Sequence, residues 1–204
     1  MLKYHKIEIK AEDNPICSTL LIYTGGTIGM CWDVQQKCLI PFDFEQFVEH
    51  VPELSYMGTN ITVFAFEELL DSANITPEHW IGIAEIIEEH YEQYDGFLIL
   101  HGTDTMAYSA SALSFLMENL AKPIIFTGAQ LPIGATRNDA KENLLTALEI
   151  LVDQSKQKNI YEVCIYFHDV LLRGNRAKKV QSSYFDAFES DNYPLLAKAG
   201  ISID

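Results

Sequence analysis

Short, unbroken apolar runs alternate along this chain with amphipathic stretches, and most of the runs end in small clusters of Gly, Thr and Asp. Continuous apolar runs of strand length suit a parallel sheet covered on both faces. Ile16 to Tyr23, Gly96 to Leu100, Pro123 to Phe126 and Val163 to Phe167 read as such strands. Ile61 to Phe66 alternates Thr with apolar residues and reads as a further strand. Between them lie helical patterns. Thr76-Pro77-Glu78 has the form of an N-cap, an N1 proline and a first-turn acid, and Trp80, Ile83, Ala84, Ile87 and Tyr91 follow at helical spacing. An Ala/Ser/Leu-rich helix is expected from about Thr105 to Leu120, and another from a cap at Asn138 or Asp139 to about Asp153. Asp43 can cap a short helix through His50, ended by Pro52. Met30 to Leu39 reads as a hairpin, a candidate lid beside the glycine turn that precedes it. Residues 1–13 are polar and expected to be loose, and Glu67 to Asn74 is expected to be a polar loop. The alternation predicts an α/β fold with a mainly parallel sheet sandwiched by helices, three-layered and Rossmann-like, in a single domain.

Composition narrows the class. The 204 residues suffice for one full core. No apolar run reaches the ~18 residues of a membrane span, and the N-terminus has no signal-peptide core, so a cytoplasmic protein with no membrane partner is expected. The net charge of −15 argues against binding nucleic acid, because an acidic surface repels phosphate backbones. Cys17, Cys31, Cys38 and Cys164 contain no CxxC pair, so no metal site is predicted, and all four read as reduced thiols. Cys31 and Cys38 are the one pair that a hairpin could bring together.

Candidate chemistry sits at strand ends. Thr24-Gly25-Gly26-Thr27 follows the first strand, and His101-Gly102-Thr103-Asp104-Thr105 follows Gly96 to Leu100. In a parallel sheet both loops lie at the same edge, where ligands bind. The second loop also opens a helix, whose first N–H groups are unpaired. Two hydroxyls, a carboxylate and several backbone donors suit acyl transfer. Each loop alone also has a plain structural explanation: the first as a tight turn, the second as a turn plus N-cap. His101 reads as a hydrogen-bonded buried histidine rather than a ligand or base.

Taken together, Thr24-Gly-Gly-Thr-Ile28 and His101-Gly-Thr-Asp-Thr-Met106 resemble the two signature motifs of bacterial-type asparaginases and glutaminases, and Leu98 to Pro123 is most similar to the cytoplasmic type I asparaginases. The similarity extends over Asp71-Ser72, Thr127-Gly128-Ala129-Gln130 and Arg173-Gly-Asn-Arg176. The resemblance implies hydrolysis of L-asparagine to L-aspartate and ammonia without a cofactor. It makes Thr27 the nucleophile and Thr103, Asp104 and Lys179 the second catalytic group, with Lys178 the nearest competing assignment. It places Ser72 on the substrate carboxylate, Asp104 on its α-ammonium group, and Asp71, Gly26, Gly102 and Ala129 in the substrate-binding set. Without the resemblance Lys179 would read as an ordinary exposed lysine.

Two positions depart from the family pattern. The loop tyrosine that assists the nucleophile has no counterpart in Lys37-Cys38-Leu39-Ile40-Pro41, and Ala73 stands where a polar residue is common. Family members also carry a smaller C-terminal domain and complete their sites across subunits, as homodimers or homotetramers. By that pattern residues 14–190 are expected to be the N-terminal catalytic domain and 191–204 the start of an interdomain link. Three other readings compete. The first is an ammonia-supplying amidotransferase subunit. The second is a nucleotide-binding module, which the missing G-x-G-x-x-G disfavours. The third is a catalytically silent truncated domain.

Overall fold

The computed structural model describes residues 2–33, 35–41, 49–157 and 160–204. The helix expected to start at Asp43 lies largely outside these residues. The strands are β1 (Tyr4–Ile9), β2 (Cys17–Gly25), β3 (Met30–Asp33), β4 (Cys38–Pro41), β5 (Thr59–Leu70), β6 (Gly96–Leu100), β7 (Ile124–Thr127), β8 (Val163–Phe167), β9 (Val170–Arg173), β10 (Lys178–Lys179), β11 (Phe188–Glu189) and β12 (Ala197–Lys198). Three long helices are α1 (Pro77–His90), α2 (Met106–Leu116) and α3 (Ala140–Gln157).

Eight strands form one sheet in the order β1-β5-β2-β6-β7-β8-β9-β12. The five central strands are mutually parallel, while β1, β9 and β12 add antiparallel edges. Both faces are covered, as the unbroken apolar runs require. Side chains alternate across a strand, so β6 sends Leu98 and Leu100 to one core with Leu144, Leu148 and Leu151 of α3. It sends Phe97 and Ile99 to the other, with Ile83 and Ile87 of α1 and Met106 and Leu113 of α2. The result is three layers, helix–sheet–helix.

Several boundaries differ from the pattern-based reading. The opening segment is not loose: β1 pairs with β5 over six residues, and Leu2 packs against Gly82 of α1. Its half-buried positions, Tyr4 toward one core and Ile7 and Ile9 toward the other, are an edge-strand pattern hidden among charges. β5 runs on through Glu67 to Leu70, shortening the expected loop: Glu67 N donates to Lys3 O at 3.1 Å, and Leu70 pairs with Gly25 of β2 after a shift in register. α2 stops at Leu116, four residues early; Met117 is already extended. β3 and β4 make the expected hairpin, but Cys31 is in register with Ile40 and Cys38 with Asp33, so the two cysteines are not opposite one another. All four cysteines are free. Asn138, not Asp139, meets the start of α3, its Oδ1 accepting from Lys141 N at 3.3 Å.

Candidate active site

Parallel strands carry their outgoing loops to one edge, and here β2, β5, β6 and β7 converge there. β2 ends in Gly25 and Gly26 at φ of 123° and 89°, the left-handed region that glycine tolerates best. Thr27 opens the 3₁₀ turn that follows, half-buried. A Cβ on Gly26 would lie 2.6 Å from Gly102 N, so the Thr27 and Thr103 loops touch backbone to backbone. Gly102 in turn faces Ser72, whose Oγ lies 2.6 Å from where a Cβ would stand. An irregularity between Tyr23 and Gly25 in the β2–β5 register sets Leu70 beside Gly25 and brings Asp71 and Ser72 to this edge.

The turn bearing Thr27 is braced from both sides. Tyr23, buried under it, donates its hydroxyl to Gly29 O at 3.2 Å, and burial pushes that phenol's pKa up. Ile133 N donates to Ile28 O at 3.4 Å. Tyr23 is thus a strut of the loop.

Thr103 is buried and Asp104 exposed. Lys179 Nζ donates to Thr103 Oγ1 and to Asp104 Oδ1, each at 2.8 Å. The Lys179 side chain is only 13% exposed, against 67% for Asp104, so the reading of an ordinary surface lysine fails. Lys178 points the other way, as neighbours on a strand must. Its Nζ pairs with Asp191 at 2.5 Å and Glu189 at 3.5 Å. β10, which pairs with β11, thus sets Lys179 beside Thr103 and Lys178 away from it.

Thr103 donates onward to Gln130 Oε1 at 3.2 Å, and Gln130 Nε2 donates to Tyr184 O at 3.1 Å. The sequence reading assigned Gln130 no role, nor did it anticipate what holds it. Buried Asp139 accepts from Gln130 N at 2.9 Å and Leu131 N at 3.0 Å. Asn143 donates to Gly128 O at 2.9 Å and accepts from His168 N at 3.1 Å. Together they hold the loop carrying Ala129 and Gln130. Asp139 and Asn143 are one turn apart at the start of α3, a spacing open to being read as one inward face.

The remaining predicted positions have structural partners. Asp71 accepts from Ala73 N at 3.0 Å, and Ser72 O accepts from Thr105 Oγ1 at 2.7 Å. In Arg173-Gly-Asn-Arg176, Arg173 pairs with Glu162 at 3.0 Å and lies 4.6 Å over the Tyr193 ring. Gly174 sits where a Cβ would meet Val163 O at 2.9 Å. That motif secures the exit of β9 rather than reaching the two threonines. Among the described residues no group of three or more His, Cys, Asp or Glu could hold a metal ion, and no helix is long and apolar enough to cross a membrane.

Comparison with known proteins places this geometry. Residues 18–204 match the family model "Asparaginase, N-terminal". The chain is 46% identical over 187 residues to L-asparaginase 1 of Escherichia coli K12, covering 91% of this chain and 54% of that protein. It is 49% identical over 207 residues to the 60 kDa lysophospholipase of Homo sapiens, covering 90% and 35% respectively. Among solved structures, L-asparaginase I of Vibrio cholerae superposes with a TM-score of 0.83 at 43% identity, over 92% of this chain and 55% of that one. The chain thus spans about half the length of these asparaginases. A family model matched over nearly all residues, with the same fold in a close relative, gives the two threonine loops their context: the chain belongs to the asparaginase family.

Proposed function

We propose that this chain carries the catalytic groups of an enzyme that hydrolyses L-asparagine to L-aspartate and ammonia. Thr27 acts as nucleophile on the side-chain amide. Thr103, Asp104 and Lys179 form the second group, and Ser72, Asp71, Gly26, Gly102 and Ala129 line the substrate. The observation that carries this reading is the pair of 2.8 Å bonds from Lys179 to Thr103 and Asp104, in a loop touching that of Thr27. A lysine ammonium has only donors, so Thr103 Oγ1 accepts from it and turns its own proton to Gln130. For Thr103 to pass a proton to Lys179, that ammonium must first lose one, and water or the departing ammonia is the proton's destination. Asp104 Oδ1 holds the lysine, and its exposed side leaves Oδ2 for the substrate's ammonium group.

The missing loop tyrosine fits this scheme only if another group assists Thr27. Leu39 stands in that hairpin opposite Trp32. We further place the protein in the cytoplasm and read residues 14–190 as the catalytic domain, with 191–204 leading to a smaller second domain. The complete protein assembles as a homodimer or homotetramer with sites shared between subunits. A glutamyl-tRNA(Gln) amidotransferase component of Thermoplasma acidophilum is a more distant relative, at 32% identity over 185 residues.

Ammonia release from L-asparagine tests the proposal, with Thr27→Ala as control. Turnover abolished by Thr27→Ala supports it. Turnover unchanged in that variant overturns the nucleophile assignment. No turnover in the full-length protein overturns the substrate.

A further inference from the structure

One buried titratable group at this edge is not used by the chemistry above. His101 is fully buried between β6 and α2. Its ring meets the Phe126 ring edge-on at a centroid distance of 5.7 Å. Its Nδ1 lies 2.6 Å from the carbonyl oxygen of Gly102. Among the described residues its Nε2 has no hydrogen-bond partner. A carbonyl only accepts, so Nδ1 carries the hydrogen. The bare Nε2 then makes the ring a neutral imidazole with a fixed tautomer. Burial agrees, holding its pKa down at about 4.

The consequence lies across the next peptide bond. No peptide bond among the described residues is cis, so the Gly102 carbonyl and the Thr103 N–H point in opposite directions. His101 draws that carbonyl toward the layer holding Phe126 and Met106. The Thr103 N–H must therefore face away from that layer, toward the side where the Thr27 loop meets Gly102. Glycine at 102 needs this pin more than another residue would, because its backbone has the widest conformational choice. Main-chain N–H groups fixed beforehand stabilise a developing oxyanion without reorganising at the moment of reaction.

We propose that His101 is a positioning residue: its Nδ1–H fixes the Gly102–Thr103 peptide so that the Thr103 N–H is presented to the substrate's reacting carbonyl. This rests on the amidohydrolase reading above, although the tautomer and the peptide orientation do not. The side chain never touches substrate. It acts through one hydrogen bond to the backbone.

The test uses the full-length protein with His101→Leu, which fills the volume without a donor, and His101→Asn, whose Nδ2–H branches at the same atom position as Nδ1. Both are first shown to melt cooperatively. His101→Leu is expected to lose at least about tenfold in kcat, up to the roughly hundredfold to thousandfold that removing an oxyanion donor costs, with KM changed less than threefold. His101→Asn is expected to regain most of that loss. Equal losses in the two variants, or a loss carried by KM, would reduce His101 to core packing and overturn the proposal. Nitrogen-15 NMR of the imidazole reads the lock without turnover: a ring protonated at Nε2, or on both nitrogens at neutral pH, overturns it even in a protein inactive on asparagine. Absence of turnover in the unmodified protein with the expected tautomer would instead sink the substrate reading and leave the peptide lock standing.

Discussion

At the scale of single residues, one lysine separates the two readings of the second loop. A turn plus N-cap would explain His101 to Thr105 without Lys179; the bonds from Lys179 to Thr103 and Asp104 would then have no purpose. Lys179→Met should lower kcat by roughly 10²–10⁴-fold, the usual worth of a positioned proton-transfer group, while Lys178→Met should stay within about threefold, since it touches only Asp191 and Glu189. Steady-state kinetics on the pair decides it. His101 yields a separate prediction. Its folded pKa, about 4, lies below the ordinary 6.5 because of burial. The unfolded chain therefore binds more protons between those values, and stability rises with pH across that window. Falling from pH 6.5 through 4 should cost on the order of 3 kcal/mol from this group. In a series of chemical denaturation curves over that range, His101→Asn should show a shallower slope than the unmodified protein.

At the scale of elements, the strand ends and the glycines set the geometry. Gly26 is required twice over, by its φ of 89° and by the Gly102 backbone 2.6 Å from any Cβ. Gly26→Ala should destabilise by more than about 2 kcal/mol, or relieve the clash by parting the two loops and losing turnover. Gly134→Ala, at a site with nothing within 4 Å, should stay within about 0.5 kcal/mol. Thermal melts of the two variants compare them directly.

Much of this layer was legible beforehand. Gly96–Leu100 and Val163–Phe167 emerge with the expected bounds, because five consecutive apolar residues in a short window fit little but a doubly covered strand. β1 was not legible: an edge strand needs only a few half-buried positions, and the His, Lys and Glu between them look like a tail. Thr27 and Thr103 are candidates from their loops alone, and the fold sets those loops in contact. Asp139 is one of two candidate caps, with Asn138, because capping is a local motif, whereas its partners, Gln130 N and Leu131 N, are brought near by the fold. Lys179 was reached through family resemblance alone; no local pattern tells an inward lysine on a two-residue strand from its outward neighbour.

At the scale of the whole molecule, charge is the dominant unbalanced quantity. A net −15 on 204 residues repels itself in the compact state. Ion pairs such as Lys6–Glu8 at 2.8 Å and Lys178–Asp191 at 2.5 Å lie at the surface and are worth little each. Screening should therefore stabilise. Raising NaCl from about 0.01 to 0.5 M shortens the Debye length from ~30 Å to a few ångström and should raise Tm by a few degrees. A fall in Tm would mean that the exposed pairs outweigh the general repulsion. The sign follows from the sum of charges and needs no structure, unlike any statement about the site.

The bond between Lys179 and Thr103 also has a consequence in time. Thr27 and Lys179 lie about 150 residues apart in the chain, and a ribosome adding ~5–20 residues per second delivers the second roughly 8 to 30 s after the first. Throughout that interval the nascent protein can have its Thr27 loop and most of its central strands in hand, yet lacks the lysine that bonds to Thr103 and Asp104. β10 comes late, and its partner β11 later still. On the proposed reading, a chain that stops short of this strand lacks one of the groups assigned to catalysis.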